Sequence, residues 1–253
     1  MIRISVIFIL IVIVSFTKAH ARPVGERYLD DPYSVDVKQI IIPLSLIAVA
    51  STTLYTKPIN YVDQEIQDEI VARQDTYTID DYMQYFPVAT MWLLDGFGVE
   101  SRHGFKEQTT NLAMSCAFMA ILVNSGKYTI RRLRPNNSTY NSFPSGHTAT
   151  AFMGAEFLRM EYGQTSPLIG LVGYSFAFAT GYMRIRRNKH YFTDVLAGAG
   201  VGILSVKLAY WCAPAVNRLL WNSDVRHRNS GSFTVVSPYS NGEQYGLGLS
   251  MRF

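Results

Sequence analysis

The chain has 253 residues, a formal net charge of +4, 48% hydrophobic residues and a mean hydropathy of +0.07. That length accommodates one sizeable core, and nothing in it suggests two catalytic domains. Much of the modest positive excess sits in one cluster and around Arg226 and Arg228, which gives little reason to expect a nucleic-acid partner.

Residues 1–21 read as a secretory signal. Arg3 supplies the positive start, residues 4–16 an apolar core, and Ala19-His20-Ala21 a small-x-small cleavage site. An uncleaved anchor is the alternative, disfavoured because the apolar run is short. A linker with Pro23 and Pro32 follows, then an apolar run at residues 40–54 broken by Pro43. Residues 60–73 predict an amphipathic helix, with Val62, Ile66 and Ile70 on one face and Asp63, Glu65, Asp68 and Glu69 on the other. Asp80 or Asp81 caps the next segment, which runs through Met91-Trp92-Leu93-Leu94 and stops at Gly96-Phe97-Gly98.

Residues 110–125 predict an apolar helix that delivers Lys127 at its end. Residues 148–162 predict another, closing at Gly163, and Ser166-Pro167 is the cap-then-proline start of a third leading to Tyr182. A last helix covers residues 191–213 and stops at Pro214. Gly198 with Gly202, and Ala151 with Ala155, stand one turn apart, a spacing that lets helices approach closely. Cys116 and Cys212 fall at depths that differ by about 10 Å at helical rise, beyond disulfide reach, and read as buried apolar residues. The sequons at Asn136 and Asn137 are taken as chance. In the tail, residues 233–236 are β-prone, Asn241-Gly242 is a hairpin turn signal, and Tyr245, Leu247, Leu249, Met251 and Phe253 alternate. This predicts an accessory hairpin packed on the helices.

Between residues 124 and 194 three polar clusters interrupt the apolar helices. Lys127 and Arg134 flank a basic run (Arg131, Arg132) that ends at Pro135. A cation fork plus a point charge suits an anion with several oxygens, phosphate above all. Pro144-Ser145-Gly146-His147 opens a helix whose unpaired N–H groups and positive end favour an anion, and Gly146 allows close approach. His190 and Asp194, four apart, share a helical face after Arg184, and an Asp so placed can fix an imidazole tautomer and free the other nitrogen to attack. Singly, each of these is commonly a cap, a solvated charge run or an ordinary turn. Their order and spacing together point to phosphoryl transfer without a metal.

Lys127-x6-Arg134-Pro135, Pro144-Ser145-Gly146-His147 and Arg184-x5-His190-x3-Asp194 resemble the three-part signature of the type 2 phosphatidic acid phosphatase superfamily, over roughly residues 80–213. That superfamily includes membrane lipid phosphatases, secreted acid phosphatases and vanadium haloperoxidases. Its third motif usually reads Ser-Arg; Met183 precedes Arg184 here, which removes an auxiliary hydrogen-bonder. The resemblance implies that His190 attacks phosphorus with Asp194 orienting it. His147 would protonate the leaving oxygen and then activate water. Lys127, Arg134, Arg184, the Ser145 hydroxyl and the Gly146 N–H would bind the phosphoryl oxygens.

The expectation is therefore an all-α bundle of about six helices, membrane-embedded, with a small C-terminal β-hairpin. Its parts are a signal (1–21), N-terminal apolar and amphipathic helices (22–79), a catalytic core (80–214) and a linker with hairpin (215–253). The expected activity is a cofactor-free, metal-independent phosphatase of lipid phosphomonoesters or diphosphates, acting through phosphohistidine in a bacterial cell envelope. The active site is expected on the periplasmic side, with lipid phosphate and membrane as partners, no nucleic acid and no obligate protein partner. The alternatives are a soluble periplasmic acid phosphatase, a vanadate-dependent haloperoxidase and a membrane-anchored binding protein with a degenerate site.

Overall fold

The computed structural model describes residues 37–52, 54, 57–71, 78–221, 233–240 and 245–252. The expected signal segment, the proline linker and the Asn241-Gly242 turn lie outside these residues. Eight helices are present among them: α1 (Val37–Thr52), α2 (Lys57–Ile70), α3 (Ile79–Met83), α4 (Phe86–Gly96), α5 (Phe105–Ile130), α6 (Gly146–Tyr162), α7 (Pro167–Arg186) and α8 (Phe192–Trp221). The core is all-helical, as expected, but has more helices than six. One reason is that the segment after Asp80 divides. Pro87 sits in the first turn of α4, where its missing N–H costs nothing.

Helix α6 forms the axis of the bundle. It is buried along most of its length and packs against α7 on one side and α8 on the other. Phe157, Leu158, Met153 and Tyr162 join Met91 of α4, Leu112 of α5, and Val206 and Tyr210 of α8 in the largest apolar cluster. The close approach of α6 and α8 rests on glycine. A Cβ on Gly202 would stand 2.4 Å from the Ala149 carbonyl oxygen, and one on Gly198 2.5 Å from that of Ser145.

Two proline readings are corrected. Pro43 lies inside α1 and Pro214 inside α8, and neither ends its helix. A proline removes one backbone hydrogen bond and clashes with the preceding turn, but packing beyond it offsets the loss. Past Pro214, Asn217 is fully buried and donates to Asn111 of α5 at 3.2 Å, and Trp221 Nε1 donates to Thr110 at 3.1 Å. Around Pro43, α1 lies flat on α8 at Gly200, where a Cβ would meet the Pro43 carbonyl oxygen at 2.7 Å. Helix α5 also runs past its expected end, so Lys127 lies in its last turn. Cys116 and Cys212 are free thiols, and Cys116 is exposed rather than buried.

Polar cross-links run through the bundle far from its motif-bearing end. Glu156 of α6 accepts from Arg159, from Lys207 of α8 at 2.5 Å and from Tyr174 of α7 at 2.6 Å, so one carboxylate ties three helices. Lys207 in turn donates to Gln39 of α1 at 2.7 Å. Among the described residues, α7 and α8 are long and apolar enough to cross a membrane. Strands β1 (Phe233–Ser240) and β2 (Tyr245–Arg252) pair antiparallel from Phe233 opposite Arg252 to Ser240 opposite Tyr245.

Candidate active site

The ends of α5 and α7, the starts of α6 and α8, and the segment 131–145 meet at one end of the bundle. Helix α5 terminates with Arg131 in the left-handed region (φ 49°), which turns the chain into that segment. Ser142 N–H donates to the Arg132 carbonyl and Ser145 N–H to the Asp194 carbonyl, both at 3.0 Å, so the segment is tied to itself and to α8. The Phe143-Pro144 peptide is cis. Ser145 then stands at the N-cap of α6, fully buried, its hydroxyl 2.8 Å from that of Thr148.

His190 lies in the short link between α7 and α8 and is 1% exposed. Its Nδ1 is 2.8 Å from the Ser142 carbonyl oxygen. A carbonyl only accepts, so Nδ1 carries the proton and Nε2 the lone pair. The direct His–Asp bond expected from the spacing is corrected: Asp194 Oδ2 stands 3.8 Å from Nδ1. Asp194 instead accepts from the Ser142 hydroxyl at 2.5 Å and the Tyr191 N–H at 2.9 Å through Oδ2, and from Arg132 at 2.9 Å through Oδ1. It braces the residue that holds the imidazole. The two residues do come together as their spacing predicted, but beyond hydrogen-bond length, because His190 precedes the first turn of α8. Burial, the largest influence, pushes the His190 imidazole down to about 4; Asp194 opposes this, and Arg184 and Arg134 reinforce it. The ring is neutral at ordinary pH.

Three cations gather beside it. Lys127 Nζ donates to the Asn141 carbonyl at 2.7 Å, and its Cε lies 3.9 Å from where a Cβ on Gly146 would stand. Burial and the neighbouring Arg134 and Arg184 lower its pKa to about 8, against the pull of Asp194. Arg134 Nε and Arg184 Nε are buried without a hydrogen-bond partner among the described residues. Buried orphan donors on crowded cations are costly unless an anion satisfies them. A cavity of about 480 Å³ adjoins Lys127, lined also by Asn124, Tyr128, Arg131, Tyr140 and Asn141.

His147, in the first turn of α6, is half-buried, and its Nε2 is 2.9 Å from Asp81 Oδ1. The structure thus brings together the starts of all three motifs. It also adds residues that sequence reasoning missed. Asp80 does not cap α3: it is fully buried and holds Arg184 at 2.8 Å, while also pairing with Arg187. Burial works against its charge, and the two guanidiniums override this, keeping its carboxyl below the usual range. Asp63 is not on a solvated face: it is 1% exposed, binds Arg132 at 2.7 Å, and accepts from Thr193 N–H and Oγ1 at 3.0 and 2.6 Å. Arg132 also lies over the Tyr191 ring at 4.0 Å. The available signal was the adjacency of Asp80 and Asp81 together with an arginine-rich helix end (Arg184, Arg186, Arg187) in need of counter-charge.

Residues 108–218, within this helical core, match the model of the PAP2 superfamily. Over 171 residues the chain is 38% identical to a lipid A 1-phosphatase of Porphyromonas gingivalis, which covers 66% of this chain and 38% of that protein. Over 77 residues it is 40% identical to the bacitracin transport permease protein BcrC of Bacillus licheniformis, covering 30% of this chain and 36% of that one. The chain thus spans less than two fifths of the length of these curated relatives. A transmembrane PAP2 type phosphatidylglycerolphosphate phosphatase from Bacillus subtilis superposes with a TM-score of 0.49 at 19% identity, over 71% of this chain and 97% of that one.

Proposed function

We propose that this chain is a metal-independent phosphatase that hydrolyses lipid phosphomonoesters or diphosphates through a phosphohistidine on His190. The observation that carries this is a buried, neutral imidazole with Nε2 unprotonated, set among Lys127, Arg134 and Arg184, whose donors await an anion. Those cations, with the N-terminal N–H groups of α6 and the Ser145 hydroxyl, are suited to the equatorial phosphoryl oxygens. Nε2 attacks phosphorus as the bond to the leaving oxygen breaks, and His147 gives that oxygen its proton. In the second step His147 takes a proton from water, whose oxygen bonds to phosphorus as the P–N bond breaks. Asp80 and Asp194 are committed to arginines, so the positive charge the reaction needs comes from side chains.

A lipid substrate is supported by the relatives and by the outer surface of the bundle. Ile41, Leu44, Trp92, Leu93, Ile121, Leu168, Leu171, Phe178 and Trp211 are exposed on α1, α4, α5, α7 and α8. An outward apolar surface of this extent fits acyl chains rather than water. The active site is placed on the periplasmic side of a bacterial membrane. The test is phosphate release by purified protein from phosphatidic acid, phosphatidylglycerol phosphate, undecaprenyl diphosphate and lipid A, with His190→Ala as control and with EDTA. At least one lipid is hydrolysed, the variant is inactive and EDTA changes nothing. Activity lost in EDTA and restored by a divalent metal would overturn the metal-free route.

A further inference from the structure

Helix α3 lies before the matched family segment, yet two of its five residues reach the site. Asp80 is fully buried and joined to both Arg184 and Arg187. This double clamp fixes the helix. Next to it, Asp81 puts Oδ1 2.9 Å from His147 Nε2 and 3.3 Å from Arg184 Nη1. A carboxylate only accepts, so it selects the imidazole form with a proton on Nε2 and leaves Nδ1 as the nitrogen directed elsewhere.

We infer that Asp81 is a positioning residue: it holds His147 by Nε2, presents Nδ1 to the leaving oxygen, and couples the proton donor to the phosphate-binding Arg184. The inference rests on the phosphatase reading given above. The contrasting role, a carboxylate occupying the phosphate cradle until substrate displaces it, fits less well. Arg184 makes its shorter bond to Asp80 rather than Asp81, and its Nε remains unpartnered for a ligand. A helix clamped through a buried Asp80 is also a poor plug.

The electrostatics supply a readout. Burial, then Arg184, depress the His147 pKa, while Asp81 and Asp80 hold it up. Lys127 of α5 lies near Gly146, the residue before His147, and Ser145 N–H is bound to the Asp194 carbonyl of α8. Removing the Asp81 charge lowers the His147 pKa further, and proton donation then fails at lower pH.

The experiment compares wild type with Asp81→Asn, Asp81→Glu and Asp81→Ala in two assays. In the first, Asp81→Asn lowers kcat on a lipid phosphate roughly tenfold or more, with KM little changed. The alkaline limb of its pH–rate profile moves to lower pH, the loss is smaller on 4-nitrophenyl phosphate, and Asp81→Glu recovers part of it. In the second, which needs no turnover, the His147 imidazole titrates at lower pH in Asp81→Asn, as followed by NMR. An unshifted His147 titration overturns the inference whether or not the protein is a phosphatase. So does an Asp81→Ala variant with unchanged kcat and a lower KM, the signature of a displaced plug. Absence of phosphate release by wild type on every substrate, with a normal His147 shift in Asp81→Asn, refutes the phosphatase reading and leaves only the His147–Asp81 pairing.

Discussion

At the residue scale, the two histidines are separated by environment. His190 is enclosed and bonded to a carbonyl through Nδ1, whereas His147 is half-buried and faces a carboxylate. In the proposed mechanism the first serves as nucleophile and the second as proton donor, so their replacements are expected to fail differently. His147→Ala keeps substrate binding and slows the step in which the leaving group departs. Its rate loss is far greater on alkyl phosphates than on substrates with acidic leaving groups, which depart without help. Equal losses on both would remove His147 from that role. His190 gives a pH prediction as well. Its folded pKa, about 4, is below the ordinary 6.5, so the native state favours the neutral ring. The stability this contributes is whole above about pH 6.5 and is lost as pH falls towards 4. Unfolding midpoints measured between pH 4 and 7 fall less steeply towards acid in His190→Gln than in wild type.

At the element scale, the motif ends of the helices are held together by close backbone contact between α6 and α8. Gly198 faces the Ser145 carbonyl oxygen at 2.5 Å and Thr148 Cβ at 3.1 Å from where its Cβ would be. Neither neighbour is a flexible side-chain tip, so Gly198→Ala must displace the N-cap of α6. The expected cost is roughly 1–3 kcal/mol, read as a lower thermal midpoint, together with a fall in activity at temperatures where the variant is still folded. An active variant with an unchanged midpoint would show that the contact can relax. This contact was legible in the sequence as Gly198 and Gly202 one turn apart, and so were the four long helices, because apolar patterning reports burial within an element. What was not legible depends on partners distant in the chain. Asp63 reads as solvated on its own helix, and only Arg132 and Thr193, brought from far along the chain, make it a buried ion-pair partner. Pro43 and Pro214 were misread for the same reason: local propensity argued for a break, and packing against α8 and α5 overrode it.

For the whole molecule, the open question is how the bundle sits in a bilayer. All the motif residues lie at one end, reached by the last turns of α5 and α7 and the first turns of α6 and α8. The opposite end carries the link between α6 and α7, including the exposed Gln164. Helix α4 has 11 residues, about 16 Å at helical rise, against the roughly 20 residues a span requires. It packs beside α6, is too short for a span, and its Asp95 accepts from the buried Tyr162 hydroxyl through Oδ1. The proposed periplasmic site requires that α1 and α5 cross and α4 does not, so that a chain entering the bilayer from outside returns to the outside by the end of α5, at Lys127. Single cysteines at Asn137 and at Gln164, in a background lacking Cys116 and Cys212, test this in intact cells with a membrane-impermeant thiol reagent. Both positions are exposed, so failure to label reports sidedness rather than burial. Labelling at Asn137 alone is the expected result. Labelling at both means the bundle stands free in the periplasm, with its apolar surface against the membrane at most in part. Labelling at Gln164 alone puts the site in the cytoplasm and overturns the assignment, because the lipid phosphates reached would then belong to the inner leaflet.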